Sequence, residues 1–321
     1  MKEAYLGIDT SNYRTSVCMV GPGGEILFEA RELLPVPAGE RGLRQSEALF
    51  IHLKFLPELM SRVTEKYTYL AVGASTRPRP FIDSYMPVFR AGEALGRFLS
   101  SLLQIPFYEF SHQEGHLAAG EYSLPVPLPV HRFLAVHLSG GTSELLRVER
   151  GSSGYTIEKM GGTLDLHAGQ LIDRIGVEMG LPFPSGPFLE EMAGKAKGEV
   201  RLPSYTKGYS FSFSGAESAL LRLVAEGKLP REEIAFAALQ VVANSLEKVL
   251  RQAVEETGLR EILIVGGVAA NRIIRERLKK RLEHRAVGAR LYFADPRFAG
   301  DNAYGIARLT RSLHQQTKSL N

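Results

Sequence analysis

The chain has 321 residues, enough for two domains of ordinary size, and its 44% hydrophobic and 23% charged residues are typical of a globular protein. The only cysteine, Cys18, excludes an internal disulfide and favours a reducing compartment. No apolar run reaches the ~18 residues that span a membrane, and the first residues do not form a secretion signal. These features predict a cytoplasmic protein that is not in a membrane.

One pattern occurs twice along the chain: a strand, a turn of small polar residues, a second strand, a hairpin turn and a third strand. The first copy spans residues 4–33 with its polar turn at 9–12, and the second spans residues 133–160 with its polar turn at 139–143 and its hairpin turn at 151–154. The duplication predicts two lobes that face each other across a cleft. Backbone N–H groups and hydroxyls of the polar turns would point into it, where they suit phosphates.

Helices are predicted between and after the two copies. In the first half they cover residues 46–67, with a kink or break at Pro57, then residues 91–103 and part of 109–122. The proline-rich residues 124–129 are the candidate linker between the lobes. In the second half we predict a helix at 232–257, a strand at 261–265, a helix from about 271, a strand at 289–294, a loop at 295–302 and a helix at 303–313. This alternation favours a mixed α/β sheet with helices on its faces.

Two histidines four residues apart, His112 and His116, would lie on one face of a helix and could reach one ion. Imidazole suits zinc and iron(II). A zinc protease would have glutamate directly after the first histidine, whereas this chain has Gln113, so a protease is a poor match. Two ligands do not make a site, and a pair of surface histidines is the alternative.

Two further residues are candidates to complete a metal site. Asp301 lies where a loop enters a helix, so its carboxylate could reach the cleft or simply cap that helix. His137 is on the strand before the second polar turn and could point at the cleft floor. A hydrogen-bonded core histidine is the alternative for that position.

A nucleotide site is suggested by the sequence VGGVAANR at residues 265–272, where a strand, two glycines and a helix follow one another. It lacks the lysine of a Walker A loop and the spacing of GxGxxG. The acidic residues Asp165, Asp173 and Glu190 could bind ribose hydroxyls or cap helices. The alternation FSFSG at residues 211–215 suits an edge strand or an ordered loop.

Basic residues are concentrated between positions 272 and 290, where eight arginines and lysines face only Glu276 and Glu283. Such a strip could neutralise the phosphates of a nucleic acid. A solvated helix face is the alternative.

Six motifs, in the order in which they occur along the chain, resemble those of the TsaD or YgjD family, the glycoprotease-like proteins that install threonylcarbamoyladenosine in tRNA. They are HQEGH at 112–116, LSGGTS at 138–143, QLIDRIG followed by LPFPSGP within 170–187, FSFSG at 211–215, VGGVAANR at 265–272 and GDNA at 300–303. The resemblance implies the actin-like ATPase (ASKHA) fold: an α/β protein of two duplicated lobes, each with a mixed five-stranded sheet flanked by helices. The expected division is a first lobe at 1–125 with the histidine pair, a second lobe at 126–302 with the nucleotide-binding turns, and a C-terminal helix at 303–321 that returns to the first lobe.

The resemblance also implies roles for single residues. The metal ligands would be His112, His116 and Asp301, with His137 as a possible fourth, and the ion would be Fe²⁺ or Zn²⁺. Asp9 and Ser11 of the first polar turn are the candidate catalytic residues. ATP or an acyl-adenylate would contact Leu138, Ser139, Gly140, Gly141, Thr142, Asp173, Gly186, Glu190, Gly266, Gly267 and Asn271. Glu190 stands where the family usually has an aspartate.

The implied reaction is acyl transfer: the metal polarises the carbonyl of threonylcarbamoyl-adenylate, and N6 of the tRNA adenosine next to the anticodon attacks it. Small companion proteins of the same pathway, or a second copy of the chain, are the expected partners besides tRNA. Two alternatives stay open. One is a carbamoyltransferase that acts on another acceptor, and the other is a non-catalytic nucleotide-binding scaffold that pairs with a catalytic relative.

Three segments depart from the family pattern. The usual Glu-Thr-Ser-Cys-Asp-Glu-Thr run is DTSNYRT at residues 9–15, a usual Gly-Pro-Gly segment is TRPRPF at 76–81, and Thr142 replaces a histidine. These departures fall in the first lobe and on the substrate side. They suggest a divergent paralogue and leave open whether its acceptor is tRNA.

Overall fold

Two five-stranded sheets dominate the computed structural model, which describes residues 1–11, 13–37, 42–81, 83–152 and 154–320. The strands are β1 (Lys2–Ser11), β2 (Arg14–Val20), β3 (Ile26–Leu33), β4 (Tyr67–Arg77), β5 (Phe107–Ser111), β6 (Arg132–Leu138), β7 (Ser143–Arg150), β8 (Tyr155–Gly162), β9 (Tyr205–Lys207), β10 (Ser210–Ser212), β11 (Glu261–Val265) and β12 (Arg290–Phe293). The helices are α1 (Gln45–Met60), α2 (Phe89–Leu103), α3 (His112–Tyr122), α4 (Ala168–Glu178), α5 (Gly186–Ala193), α6 (Ser214–Glu226), α7 (Arg231–Thr257), α8 (Arg272–Leu282), α9 (Pro296–Ala299) and α10 (Tyr304–Leu320).

The two large sheets have the same topology. The first has the order β3-β2-β1-β4-β5 and the second, read in the reverse direction, β8-β7-β6-β11-β12. In each, three antiparallel strands are joined in sequence and two further strands run parallel to the first of them. This confirms the predicted duplication and the mixed five-stranded sheets flanked by helices. We call the first sheet with α1 and α2 the first lobe, and the second sheet with α4 to α8 the second lobe.

Several predicted boundaries were wrong. Residues 9–11 belong to β1 and pair with β2, so the first polar turn is shorter than predicted. The helix predicted at 46–67 ends at Met60, and Tyr67 begins a strand. Aromatic and β-branched residues after position 66 favour a strand over a continued helix. The loop predicted at 295–302 contains the short helix α9.

Parts of three predicted segments, at Asn12, Ser153 and Asn321, lie outside the described residues.

Each sheet buries apolar side chains on both faces. In the second lobe the largest core lies between the sheet and helices α4 to α8, and α7 alone contributes thirteen buried apolar residues to it. In the first lobe α1 and α2 cover one face of the sheet. Helix α10 packs against β1, β2 and β4, while α3 contacts both α10 and β11. Helices α3 and α10 therefore lie between the two sheets. The exact division of the chain at residues 125 and 302 stays a prediction.

Among the described helices, none has a stretch long and apolar enough to cross a bilayer.

Helices α3 and α10 approach each other so closely that a glycine is required at the contact. A Cβ on Gly305 would overlap the carbonyl oxygen of Gly115 and lie 2.8 Å from the amide nitrogen of Ala119. Both of those atoms are backbone atoms of α3, so a side chain at 305 must push the helix away.

We therefore expect Gly305→Ala to lower the free energy of unfolding by about 1–3 kcal/mol, the usual cost of overpacking. Gly215→Ala is the matched control, because Gly215 is exposed in the first turn of α6 and a Cβ there would meet nothing within 4 Å. That variant should be neutral or stabilising by up to about 1 kcal/mol. Urea denaturation of both variants measures the difference, and equal stability would contradict the close packing.

Candidate active site

The histidine pair is placed by a helix start. The Ser111 hydroxyl accepts a hydrogen bond from the Glu114 amide, and the Glu114 carboxylate accepts one from the Ser111 amide at 2.7 Å. This capping box fixes the first turn of α3 directly at the end of β5. His112 is the first residue of the helix and His116 follows one turn later, with 4.4 Å between their ring centroids.

Asp301 meets the two histidines from the other end of the chain. Its Oδ1 lies 3.4 Å from Nε2 of His112 and 3.2 Å from Nε2 of His116. One ligand atom from each of these three residues lies within 4.8 Å of the others. Asp301 does not cap α10, because Asn302 does so by accepting a hydrogen bond from the Tyr304 amide. The predicted trio is therefore brought together, although 185 residues separate His116 from Asp301.

Asp9 lies behind the trio. Its carboxylate is fully buried, lies 2.9 Å from Nδ1 of His112, and accepts hydrogen bonds from the hydroxyls of Ser11 and Ser75. A carboxylate on the second nitrogen of a histidine fixes the orientation and tautomer of the ring in metal sites. Asp9 thus contacts a candidate ligand, while Ser11 reaches the cleft. Sequence reasoning missed Ser75, since a serine within a strand has no distinguishing pattern.

The charges around His112 favour a cation. Burial alone would lower the pKa of His112, but the charge of Asp9 and hydrogen bonds to Asp301 and Asp9 raise it to about 10. Burial likewise works against the ionised form of Asp301, yet hydrogen bonds to the two histidines keep its pKa well below the usual value. A buried carboxylate, Asp9, and a half-buried one, Asp301, therefore lie beside the imidazoles, and a divalent ion would compensate their charge.

His137 is the third imidazole of the cluster. Its ring centroid lies 4.5 Å from that of His116 and 6.2 Å from that of His112. Burial, reinforced by the charges of His116 and His112, lowers its pKa well below the usual value, so the ring is neutral. Both of its nitrogens, and Nδ1 of His116, are buried without a hydrogen-bond partner among the described residues. Neutral imidazoles beside carboxylates fit Zn²⁺ or Fe²⁺, but His137 is outside the group of converging donor atoms and its role as a fourth ligand stays a prediction.

The trio opens onto a cleft of about 870 Å³ between the lobes. Most of the predicted site residues line it: Ser11, His112, Ser139, Gly140, Gly141, Thr142, Asp173, Gly186, Glu190, Gly267, Asn271 and Asp301. Five others lie behind its wall: Asp9, His116, His137, Leu138 and Gly266. Gly266 has φ +95°, and a Cβ there would overlap the carbonyl oxygen of Leu138. These last two residues support the cleft wall from behind.

The second-lobe wall combines open glycines with helix caps. A Cβ at Gly140 or Gly267 would meet nothing within 4 Å, so a ligand can approach the backbone there. The Asn271 side chain caps α8 by accepting a hydrogen bond from the Ile274 amide. Glu190 accepts hydrogen bonds from the amide and Nε of Arg272. Both residues line the cleft, and Glu190 also contacts the start of α8, in line with the capping role that was its predicted alternative.

The two other acidic candidates, Asp173 and Asp165, differ in what their carboxylates contact. Burial raises the pKa of Asp173 to about 6, although its carboxylate accepts a hydrogen bond from the Ser185 amide. Asp173 lines the cleft. Asp165 instead accepts hydrogen bonds from the hydroxyls of Ser212 and Ser214 and holds the FSFSG segment in place. For Asp165 the predicted alternative to ribose binding was the local structural role of a helix cap, and these contacts agree with that alternative.

Comparison with known proteins identifies the family of this chain. The family model for TsaD, tRNA N6-adenosine threonylcarbamoyltransferase, matches residues 86–308. The protein of that name from Archaeoglobus fulgidus is 33% identical over 94% of this chain and 88% of its own length. One from Thermus thermophilus is 32% identical over 97% of this chain and 93% of its own length. The chain belongs to the TsaD family.

Some relatives in the TsaD family are longer. A protein from Methanobrevibacter smithii, named as a probable bifunctional tRNA threonylcarbamoyladenosine biosynthesis protein, is 32% identical over 97% of this chain but only 55% of its own length.

Solved structures support the actin-like fold. HypF from T. kodakarensis superposes with a TM-score of 0.61 at 14% identity over 98% of this chain and 48% of its own. The 2-hydroxyglutaryl-CoA dehydratase component A from Acidaminococcus fermentans gives 0.58 at 17% identity over 98% and 99%. A ROK family glucokinase from Streptomyces griseus gives 0.55 at 13% identity over 96% and 99%. At these identities the likeness concerns the fold alone.

The metal trio generates a direct prediction. Removing the His116 imidazole deletes one donor and leaves Asp301 without one of its two partners. His116→Ala should therefore lower the affinity for Zn²⁺ or Fe²⁺ by more than the ~10–100-fold typical of losing an outer-shell residue. Calorimetric titration with each metal, under anaerobic conditions for iron, gives the measurement. His131→Ala, at an exposed histidine, is the control and should bind as wild type does; equal affinities of the two variants would refute the site.

Proposed function

We propose that the chain transfers the threonylcarbamoyl group of threonylcarbamoyl-adenylate to N6 of the tRNA adenosine next to the anticodon. The observation that carries the proposal is the convergence of His112, His116 and Asp301 at a cleft lined by glycine-rich turns, in a chain of the TsaD family. The enzyme is then an acyltransferase. The carbamoyltransferase and scaffold alternatives have no observation in their favour beyond those that support this reaction.

In this proposal the metal ion, Fe²⁺ or Zn²⁺, is held by His112, His116 and Asp301, with His137 as the candidate fourth ligand. Such an ion supplies Lewis-acid polarisation of the donor carbonyl when it is bound. Asp9, predicted as a catalytic residue, serves in this proposal as a positioning residue that orients His112 through Nδ1. Ser11 lines the cleft beside the trio and could contact the donor directly.

The adenylate lies along the second-lobe wall. We propose that the phosphate lies against the backbone at Gly140 and Gly267, where a ligand has room to approach, and that N–H groups there offset the charge of the departing AMP. Gly141 lies in the same turn, and its N–H group donates to the Ser139 hydroxyl. Asp173 and Glu190 also line the cleft, and we propose that they accept hydrogen bonds from ribose hydroxyls. The amine nitrogen forms a bond to the acyl carbon, the bond from that carbon to the phosphate oxygen breaks, and one proton leaves the amine.

The partners are proposals as well. We propose tRNA as acceptor, and either small companion proteins of the same pathway or a second copy of this chain as protein partner. A cytoplasmic location agrees with the single cysteine, which is free and buried.

The test is transfer by the purified chain loaded with metal. We expect threonylcarbamoyl transfer to unmodified tRNA by wild type, and loss of at least about 100-fold in rate for Asp301→Asn, which removes a charge next to both histidines. Product is measured by mass spectrometry of tRNA nucleosides. Carbamoyl transfer to small acceptors in place of tRNA would support the carbamoyltransferase instead, and full activity of Asp301→Asn would refute the metal role.

The basic strip gives a separate test of the tRNA partner. Within it, Arg277 and Arg281 pair with Glu247, and Arg272 pairs with Glu190. These pairs explain part of the strip as a structural helix face. Lys280 and Arg285 are exposed and have no acidic partner in the part of the chain that the structure describes.

We expect Lys280→Gln with Arg285→Gln to weaken tRNA binding and to reduce the slope of log affinity against log salt by about 1 for each charge removed. Filter binding at several salt concentrations measures the slope. Lys228→Gln, at a lysine 80% exposed elsewhere, is the control. An unchanged slope in the double variant would place the tRNA on another surface.

A further inference from the structure

Four arginines line the cleft between the lobes: Arg14, Arg31, Arg79 and Arg297. Three of them have acidic partners. Arg31 and Arg297 share Glu29, and Arg79 pairs with Glu144 at 2.9 Å. Arg14 has neither an ion pair nor a side-chain hydrogen bond with any other residue that the structure describes. A half-buried guanidinium that faces a cleft without a carboxylate is placed to receive an anion from outside the chain.

The location of Arg14 determines which part of a bound ligand it can contact. The residue begins β2 in the first lobe, and its Nη1 is 3.3 Å from the position of a Cβ on Gly300. Gly300 directly precedes Asp301 of the metal trio. The guanidinium therefore lies on the first-lobe side of the trio, whereas the open glycines proposed for the phosphate are on the second-lobe side.

The donor carries two anionic groups, the phosphate and the carboxylate of its threonyl part, on opposite sides of the acyl carbon. If the phosphate is at the second-lobe glycines and the acyl carbonyl is at the trio, the threonyl part extends toward the first lobe. We propose that Arg14 binds this carboxylate and thereby selects a donor derived from an amino acid. The inference rests on the proposed function and adds a specificity-determining residue to it.

The guanidinium of Arg14 is chemically suited to bind a carboxylate. Guanidinium forms two parallel hydrogen bonds with a carboxylate, and it stays charged at every physiological pH. Arg14 takes no part in bond making or breaking in this role. The position is also one of the departures from the family pattern, where an acidic residue is usual.

The experiment compares two donors that share the adenylate: threonylcarbamoyl-adenylate and carbamoyl-adenylate, which lacks the carboxylate. For Arg14→Gln we expect the KM for the first donor to rise by about 10–100-fold, the usual effect of losing a hydrogen bond to a charged group. The kinetics of the second donor and the calorimetric affinity for AMP should stay as in wild type. Arg14→Lys keeps the charge but not the paired geometry, so its KM for threonylcarbamoyl-adenylate should lie between those of wild type and Arg14→Gln.

The controls separate the possible failures. Arg132→Gln changes an exposed arginine that does not line the cleft and should leave all values unchanged. A parallel loss of AMP affinity in Arg14→Gln would assign the arginine to the phosphate and overturn the inference. Unchanged KM values for both donors would overturn it too. If the wild-type protein transfers neither group to tRNA, the proposed function fails. If the wild-type protein does transfer the threonylcarbamoyl group and Arg14→Gln leaves the KM unchanged, only the inference about Arg14 is refuted.

Discussion

The backbone contact between helices α3 and α10 is the constraint on which the site depends. Gly305 lies against Gly115 and Ala119, so no side chain separates the two helices. His112 and His116 are in the first turns of α3, and Asp301 lies in the short segment between α9 and α10, which begins at Tyr304. The distance between the histidine pair and the aspartate is therefore set by a contact that involves none of the three. Sub-ångström placement of metal ligands usually requires such a rigid support.

Electrostatics then explains why these residues are buried together. A carboxylate such as Asp9 or Asp301 is costly to bury alone, and an imidazole loses its charge when it is buried. Placed side by side, they compensate each other: the carboxylates raise the pKa of His112, and His137 behind them is neutral. Because a ligand imidazole must be unprotonated, a bound divalent ion would replace the proton of His112 as the positive charge beside Asp9 and Asp301.

A second buried charge holds the two lobes in register. Glu144 of β7 is only 2% exposed, and its carboxylate accepts hydrogen bonds from Nε of Arg79 and Nε2 of Gln113, both at 2.9 Å. Both partners come from the first-lobe side of the cleft, and the Gln113 amide also bonds to the carbonyl of Pro78. Lys159 of β8 also pairs with Glu144 at 3.0 Å, so the carboxylate keeps one cation of its own lobe and gains Arg79 and Gln113 when the lobes meet.

The sequence predicted the fold well where the signal was local and repeated. The duplicated hairpins, the long helix α7 and the start of α8 near residue 271 all follow from hydrophobic period and turn residues. Strands β4 and β5 were not predicted, because they are parallel and buried and their apolar residues resemble a helix continuation. The meeting of His112 and Asp301 was available only from a family resemblance. The ion pair between Arg79 and Glu144 could not be predicted at all, since it depends on how two lobes dock.

Several departures from the TsaD pattern line the same cleft in the structure. Tyr13, Arg14 and Arg79 line the first-lobe side of the cleft, and Thr142 lies on the facing turn. The Tyr13 ring also makes an edge contact with Phe183 of the second lobe, at 5.5 Å between centroids. His112, His116 and Asp301 match the pattern, whereas Asp9 behind them and Glu190 on the second-lobe side each replace the other acidic residue and keep the charge. Departures that change the charge, at Arg14 and Arg79, lie on the first-lobe wall of the cleft.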